Sequence, residues 1–230
     1  MGRQHGGLSS QGGPQPQVQP VVPLTPSHLD LSNIAASPVK VSKLREFLVD
    51  YPLSLVALEL IQGFSFGFKL CYEGPRVATD SKNLKSMSGL EYEAVQLVSQ
   101  EITLGRVAGP FDDPPLKDLR LSPVGMVPKK GGSYRLIHHL SHPPGASVND
   151  FIDKKYCSVR YSSFDEALNM LSKLGHEALV ARLDIKNAFR LLPVHKSDFQ
   201  LLGYRIQGKI FVDKCLPFGC SISCSKFEKF

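Results

Sequence analysis

The sequence predicts a mixed α+β fold, and three observations carry that expectation. Stretches of helical and strand periodicity alternate along the chain. Two pairs of extended runs are joined by glycine-containing turns, at Lys129 to Gly132 and at Gln207-Gly208, as β-hairpins are. Two helical runs open on Ser-x-x-Glu, at Ser88/Glu91 and Ser163/Glu166, a spacing that satisfies two backbone donors reciprocally. Interleaved helices and strands of this kind pack as layers around a shared core.

In chain order, residues 1–38 are dominated by Gly, Gln, Ser and Pro, with PQPQVQP at Pro14 to Pro20. Such a segment buries too little apolar area to offset its ordering entropy and is expected to be a disordered arm. Residues 39–105 read as a helical extension. Leu44, Phe47 and Leu48 form one face of a helix over 41–51. After Pro52 the pattern resumes from Leu53 and is expected to stop at Gly63. The stretch 63–70 reads as an aromatic, glycine-rich connector and 73–85 as a loop. A helix from Ser88 follows, with Val95, Val98 and Ile102 inward and Gly105 closing it. The prolines of 108–115 argue against regular structure there.

From 106 to 230 strands enter the pattern. Residues 123–128 and 133–140 form the first expected hairpin. A helix from Ser163 carries the stripe Phe164, Leu168, Leu171 and Leu174 and ends at Gly175. Residues 178–184, ALVARLD, read as a short strand with Asp184 at its mouth. Residues 201–206 and 209–213 form the second hairpin, and LPFG at Leu216 to Gly219 is a turn entering a final helix.

The chain has 230 residues, a net charge of +6 and a pI of about 9.0, a mild basic excess that suits an acidic partner such as nucleic acid or simply a solvated basic surface. Five cysteines without scaffold-like spacing argue for a reducing compartment, cytoplasmic or nuclear, and against secretion. No leader pattern and no apolar run long enough to span a bilayer is present, so no membrane partner is expected.

Several residues invite a chemical reading. A carboxylate at a strand end, as at Asp184, can hold a divalent cation, although a lone Asp there also serves as turn former or helix N-cap. Lys129, Lys130 and Arg135 on a hairpin suit a triphosphate, with Lys as point charge and Arg as bidentate fork; lysines beside glycines also make ordinary solvated turns. Phe189 can wall a nucleotide pocket or fill a core. Gly219 in Pro217-Phe218-Gly219 permits close backbone approach, or marks any turn. His138, His139 and His142 with Cys157, or Cys215, Cys220 and Cys224, fit no common zinc spacing, and neighbouring histidines on a strand face opposite ways.

Taken together these motifs resemble reverse transcriptases. SYRLIHHLS at Ser133 to Ser141, LDIKNAFRLLPV at Leu183 to Val194 and LPFGCSISCSKFE at Leu216 to Glu228 look like three consecutive blocks of that family, in its order. The wider wording is similar to the DIRS type, the tyrosine-recombinase retroelements: GRVAGPF at Gly105 to Phe111, SPVGMVPKK at Ser122 to Lys130 and RLIHHLSHPPGASVNDFI at Arg135 to Ile152. The resemblance runs from about Val41 to Phe230. It implies the fingers and an incomplete palm of a right-hand polymerase over 106–230.

The resemblance also implies roles. Asp184 matches the first metal-binding aspartate, with the Ile185 carbonyl as companion ligand to Mg²⁺. Phe189 matches the aromatic gate that selects deoxynucleotides. Arg135, and Lys129 or Lys130, match the triphosphate contacts, and Phe218 and Gly219 lie by the nucleotide and template. An RNA or DNA template-primer and a dNTP are the implied partners. The family's Tyr-x-Asp-Asp block, its thumb and its RNase H region have no match in these residues. The isolated chain is therefore expected to be inactive in nucleotidyl transfer and marginally folded, with the Asp184 strand an exposed edge. The competing expectations are a non-enzymatic nucleic-acid-binding remnant and a fragment without function.

Overall fold

The computed structural model describes residues 29–230. The part of the expected arm that precedes Leu29 lies outside them. The described remainder of that arm makes defined contacts: Ser37 Oγ donates to the Leu191 carbonyl (2.9 Å), and the Lys214 ammonium donates to the Asp30 carbonyl (2.9 Å).

Two helices follow, α1 (Val41–Phe47) and α2 (Ser54–Phe66). α2 runs through Gly63 instead of stopping there. Gly63 is buried where the helix meets the Phe68 ring, and a Cβ would overlap that ring. The glycine is thus a close-packing residue, not a terminator. Phe47, expected on the inner face of α1, points to solvent.

A two-residue strand β1 (Thr79–Asp80) precedes α3 (Glu91–Thr103). The expected Ser88/Glu91 capping box does not form. Leu90 holds the N-cap position without a side-chain cap, and Ser88 closes a preceding 3-10 turn, Lys85–Met87. Ala94, Val98 and Ile102 are the buried face, and Gly105 at φ 67° ends the helix as expected.

The main sheet has five strands in the order β1-β3-β6-β7-β2. β2 (Val107–Phe111), β3 (Arg120–Leu121), β6 (Gly203–Ile206) and β7 (Lys209–Asp213) complete it. β1, β3 and β6 run parallel, while β6–β7 and β7–β2 are antiparallel. β2 overturns the expectation that 108–115 lacks regular structure. Its ladder shifts register between Ala108 and Phe111, so Pro110 sits at an irregularity where its missing N–H leaves no gap in the pairing. The β6–β7 hairpin turns at Gln207 and Gly208, with φ 48° and 78°, the left-handed pair that suits strand twist. A separate hairpin joins β4 (Val124–Pro128) to β5 (Tyr134–His138) around the expected turn, with Val124 opposite His138.

One core gathers Leu60, Phe64, Phe68 and Leu70 with Leu192, Val194, Leu202, Leu216 and Ile222. The helical segment before 105 and the region after it therefore share the same interior. A second cluster packs Met87, Val98 and Ile102 of the α3 region against Val124, Met126, Tyr204 and Phe211.

The helix α4 (Phe164–Leu174) forms with its expected capping box and its Gly175 ending. Its apolar stripe, however, is largely uncovered: Phe164, Leu168 and Leu174 are exposed, and Leu171 is half-buried. The strand expected over 178–184 does not form at all. Leu179 is 99% exposed and Leu183 93%. Strand propensity specifies a strand only where a ladder partner and a packed face exist, and no described strand lies beside this stretch. The final helix, α5 (Ser223–Glu228), follows the LPFG turn as expected.

Candidate functional site

The β4–β5 hairpin ends in Lys129 to Gly132. Lys129 N donates to the Ser133 carbonyl (2.7 Å), and Gly131 and Gly132 take φ 98° and 81°, which only glycine adopts without strain. Lys129 and Lys130 are exposed at the tip and make no ion pair among the described residues. Arg135 lies on β5 opposite Val127. Its guanidinium covers the Phe218 ring at 4.6 Å from the centroid, a cation–π contact.

Phe218 belongs to the turn between β7 and α5. Gly219 beside it packs so tightly on β5 that a Cβ would overlap the His138 carbonyl oxygen. The Asn149 side chain closes the turn from the other side. Its amide nitrogen donates to the Gly219 carbonyl (2.8 Å) and to Ser141 Oγ (2.8 Å), and its oxygen accepts from Ser221 N (2.9 Å). A single side chain thus fixes the turn to the loop that follows β5.

Phe189 sits on a 3-10 turn, Ala188–Leu191, entered through Asn187 in the left-handed region at φ 58°. Its ring lies 5.2 Å from Phe218 and 5.8 Å, edge to face, from Phe227 of α5. Arg135, Phe218, Gly219 and Phe189 therefore converge from three separate elements into one half-exposed cluster, with a cation stacked on an aromatic pair.

Behind the cluster runs a buried charge network. Arg190 Nε donates to Glu101 Oε2 (2.9 Å), and its Nη1 pairs with Asp213 Oδ1 (2.8 Å) and donates to the Cys215 carbonyl (3.3 Å). Asp213 Oδ2 lies 3.1 Å from His138 Nδ1, while His138 Nε2 lies 3.2 Å from the Gly203 carbonyl. Burial pushes the Asp213 carboxyl up, but Arg190 and His138 more than offset it and hold it below the usual carboxylate range. Burial alone would lower the Arg190 guanidinium; the Asp213 and Glu101 carboxylates instead raise it. The network joins β5, β7, α3 and the Phe189 turn, the elements that shape the cluster. Burial also pushes Cys215 and Cys220 up to about 12, so both thiols stay protonated and pack as apolar groups.

Asp184 and Ile185 stand apart. They are exposed, and residues 176–186 make no hydrogen bond to any described residue through backbone or side chain. Among the described residues no group of three or more His, Cys, Asp or Glu converges as a metal site. One carboxylate with one carbonyl is a smaller set of fixed oxygens than Mg²⁺ is usually held by, so these residues alone do not fit the ion. No described helix is long and apolar enough to cross a membrane.

Asn149, Arg190, Asp213 and Glu101 escaped the sequence reading. Two of them carried a signal: a charge lodged inside an apolar run, Arg190 in AFRLL and Asp213 in IFVDKCL. Such a residue is either exposed by strand alternation or buried and paired.

No family model matches the chain. Among curated proteins it is similar to the Transposon Tf2-7 and Tf2-3 polyproteins of Schizosaccharomyces pombe, each 26% identical over 170 residues, or 74% of this chain. Those residues are 11% of each polyprotein, so the chain matches about a tenth of its relatives' length. The sequence likeness is therefore to retroelement proteins. Among solved structures it is similar to the Prototype Foamy Virus Protease-Reverse Transcriptase, with a TM-score of 0.48 and 15% identity over 85% of this chain and 26% of that one. A foamy viral protease-reverse transcriptase dRH in complex with ds DNA gives 0.46 and 16%, over 92% of this chain and 36% of that one.

Proposed function

We propose that this chain is the fingers and the first part of the palm of a retroelement reverse transcriptase of the DIRS type, built to receive the triphosphate and base of an incoming dNTP on a nucleic-acid template-primer. The observation that carries the reading is the convergence of Arg135, Phe218, Gly219 and Phe189. They come from three separate sequence blocks yet form one surface with a guanidinium fork at its edge and aromatic faces at its floor. Arg135, with Lys129 or Lys130 from the hairpin tip, supplies charge for phosphate oxygens. Phe189 supplies an aromatic wall beside the sugar, and Phe218 and Gly219 lie by the nucleotide and template in this reading. The likeness to transposon polyproteins supports the retroelement origin.

Asp184, with the Ile185 carbonyl, supplies one part of a Mg²⁺ site in this reading. Bound magnesium would neutralise charge on the transferring phosphate. The described residues hold too few ligands for that chemistry.

Fluorescent dNTP binding to the purified chain tests the reading. Saturable binding is expected, weakened about tenfold by Arg135→Ala or Phe218→Ala, in line with the loss of one charge-assisted or stacking contact. Binding that ignores both substitutions refutes the nucleotide assignment. A second reading, a nucleic-acid-binding module without catalysis, is favoured by the sparse ligand set around Asp184. It predicts salt-dependent duplex binding without dNTP binding.

A further inference from the structure

Residues 30–39 cross the surface as a strap with neither helix nor strand. Few points tie it down. Ala35 is buried, and Leu31 and Val39 pack against the main core. Ser37 Oγ donates to the Leu191 carbonyl (2.9 Å) and accepts from Val39 N (3.3 Å), while the Lys214 ammonium donates to the Asp30 carbonyl (2.9 Å). Both long-range bonds end one residue from the buried charge network: Leu191 follows Arg190, and Lys214 follows Asp213. Ser37 is thus the bond between the strap and the turn that carries Phe189. The chain there reads Ser37-Pro38-Val39-Lys40, with Ser37 half-buried and Pro38 and Lys40 exposed. Among the described residues the other Ser-Pro pair is Ser122-Pro123. Ser122 is 2% exposed and its N–H is bound to the Gly203 carbonyl, so that hydroxyl is out of reach.

We propose that Ser37 is a phosphorylation site for a proline-directed serine kinase, and that its phosphate releases the strap from the Phe189 turn. Such kinases read a serine followed by proline, with a cation three positions after the serine. Pro38 brings a fixed φ and no N–H to satisfy, and Lys40 brings the charge. The strap has no helix or strand to melt and few ties to break, so a local opening presents it to a peptide groove. In the transfer, Ser37 Oγ bonds to the γ-phosphorus of ATP. The bond from that phosphorus to its bridging oxygen breaks, ADP leaves, and the hydroxyl proton passes to a base of the kinase. The product carries a charge of about −1.5 to −2 at pH 7 on oxygens that act as strong acceptors. The hydroxyl that donated to Leu191 is gone, and an anion now faces a carbonyl oxygen. Acceptor against acceptor in a half-buried contact is repulsive and strips water from the charge. The strap therefore lifts at this end, and the Phe189 turn loses its tie to it. The modification goes beyond the nucleotide reading and does not rest on it; only its consequence for dNTP binding does.

Incubation of the full chain with a proline-directed serine kinase and ATP tests it. All samples carry Thr25→Ala, which removes the Thr-Pro pair outside the described residues. Mass spectrometry is expected to place a phosphate on Ser37 and none on Ser122. Hydrogen–deuterium exchange is then expected to rise about tenfold or more at Arg190 and Leu192, whose N–H groups close the turn on the Asn187 and Phe189 carbonyls, with β6 and β7 unchanged. Ser37→Ala takes up no phosphate there and shows no ATP-dependent change in exchange. Absence of phosphate on Ser37, or equal phosphate on the buried Ser122, overturns the proposal. So does a phosphorylated chain whose turn exchanges at the unmodified rate. Fluorescent dNTP binding by the same samples is read separately. An unmodified chain that binds no dNTP refutes the nucleotide reading alone, while the phosphate and exchange results still decide the fate of the strap.

Discussion

Replacing Arg190 with Met probes how firmly the Phe189 turn is tied to the sheet. Arg190 is buried, and its guanidinium meets Glu101 at 2.9 Å and Asp213 at 2.8 Å. Methionine keeps much of the side-chain volume but leaves the Asp213 carboxylate, only 5% exposed, with the His138 ring as its remaining side-chain partner. Breaking a buried pair from one side costs about 3–5 kcal/mol, because the other charge is stranded in a poorly polarisable interior. Against a typical total of about 5–15 kcal/mol this is a large fraction of the fold. With a urea slope of about 2 kcal/mol/M, the midpoint should fall by about 1.5–2.5 M.

The double variant Arg190→Met/Asp213→Asn should recover much of the loss, because removing both charges removes the stranded one. The pH dependence carries a sign as well. The Asp213 carboxyl is held below its ordinary value, so its contribution is present above that value and is lost as the pH falls through the depressed one. Without Arg190 the upward push of burial is less opposed, and the acid-side loss of stability should begin at higher pH. A midpoint shift under about 0.3 M, or strict additivity in the double variant, would refute the claim that this network holds the cluster together.

Two further outcomes follow from the same geometry. Gly219→Ala drives a methyl group into the His138 carbonyl, so the turn must move away from β5. Thermal melting should show a loss of about 1–3 kcal/mol, the usual cost of overpacking, with weakened dNTP binding; an unchanged melt and unchanged binding would show that the approach is looser than the structure has it. Primer extension by the purified chain with Mg²⁺ and dNTPs should give no template-dependent product, since Asp184 stands without converging carboxylates; extension abolished by Asp184→Ala would overturn that expectation.

Local chemistry alone specified several elements. The β4–β5 and β6–β7 hairpins, the α4 capping box with its glycine stop, and the Gly105 ending depend on turn residues and periodicity within a few positions, and each stands where the sequence puts it. The sequence also singled out Arg135, Phe189, Phe218 and Gly219, and the resemblance implied one shared site for them, but local chemistry did not show that they meet. That requires the packing of β5, the 215–222 turn and a 3-10 turn on one core, which is a long-range property. The Asn149 clamp has no local signature, and the Glu101–Arg190–Asp213–His138 network shows locally only as Arg190 and Asp213 lodged in apolar runs, because each partner lies far from the others along the chain. Asp184 marks the opposite limit. Its flanking residues have every local property of a strand, but a strand exists only where another strand accepts its hydrogen bonds and a face covers its side chains. The described molecule offers neither, so tertiary structure leaves ALVARLDI unpaired and exposed.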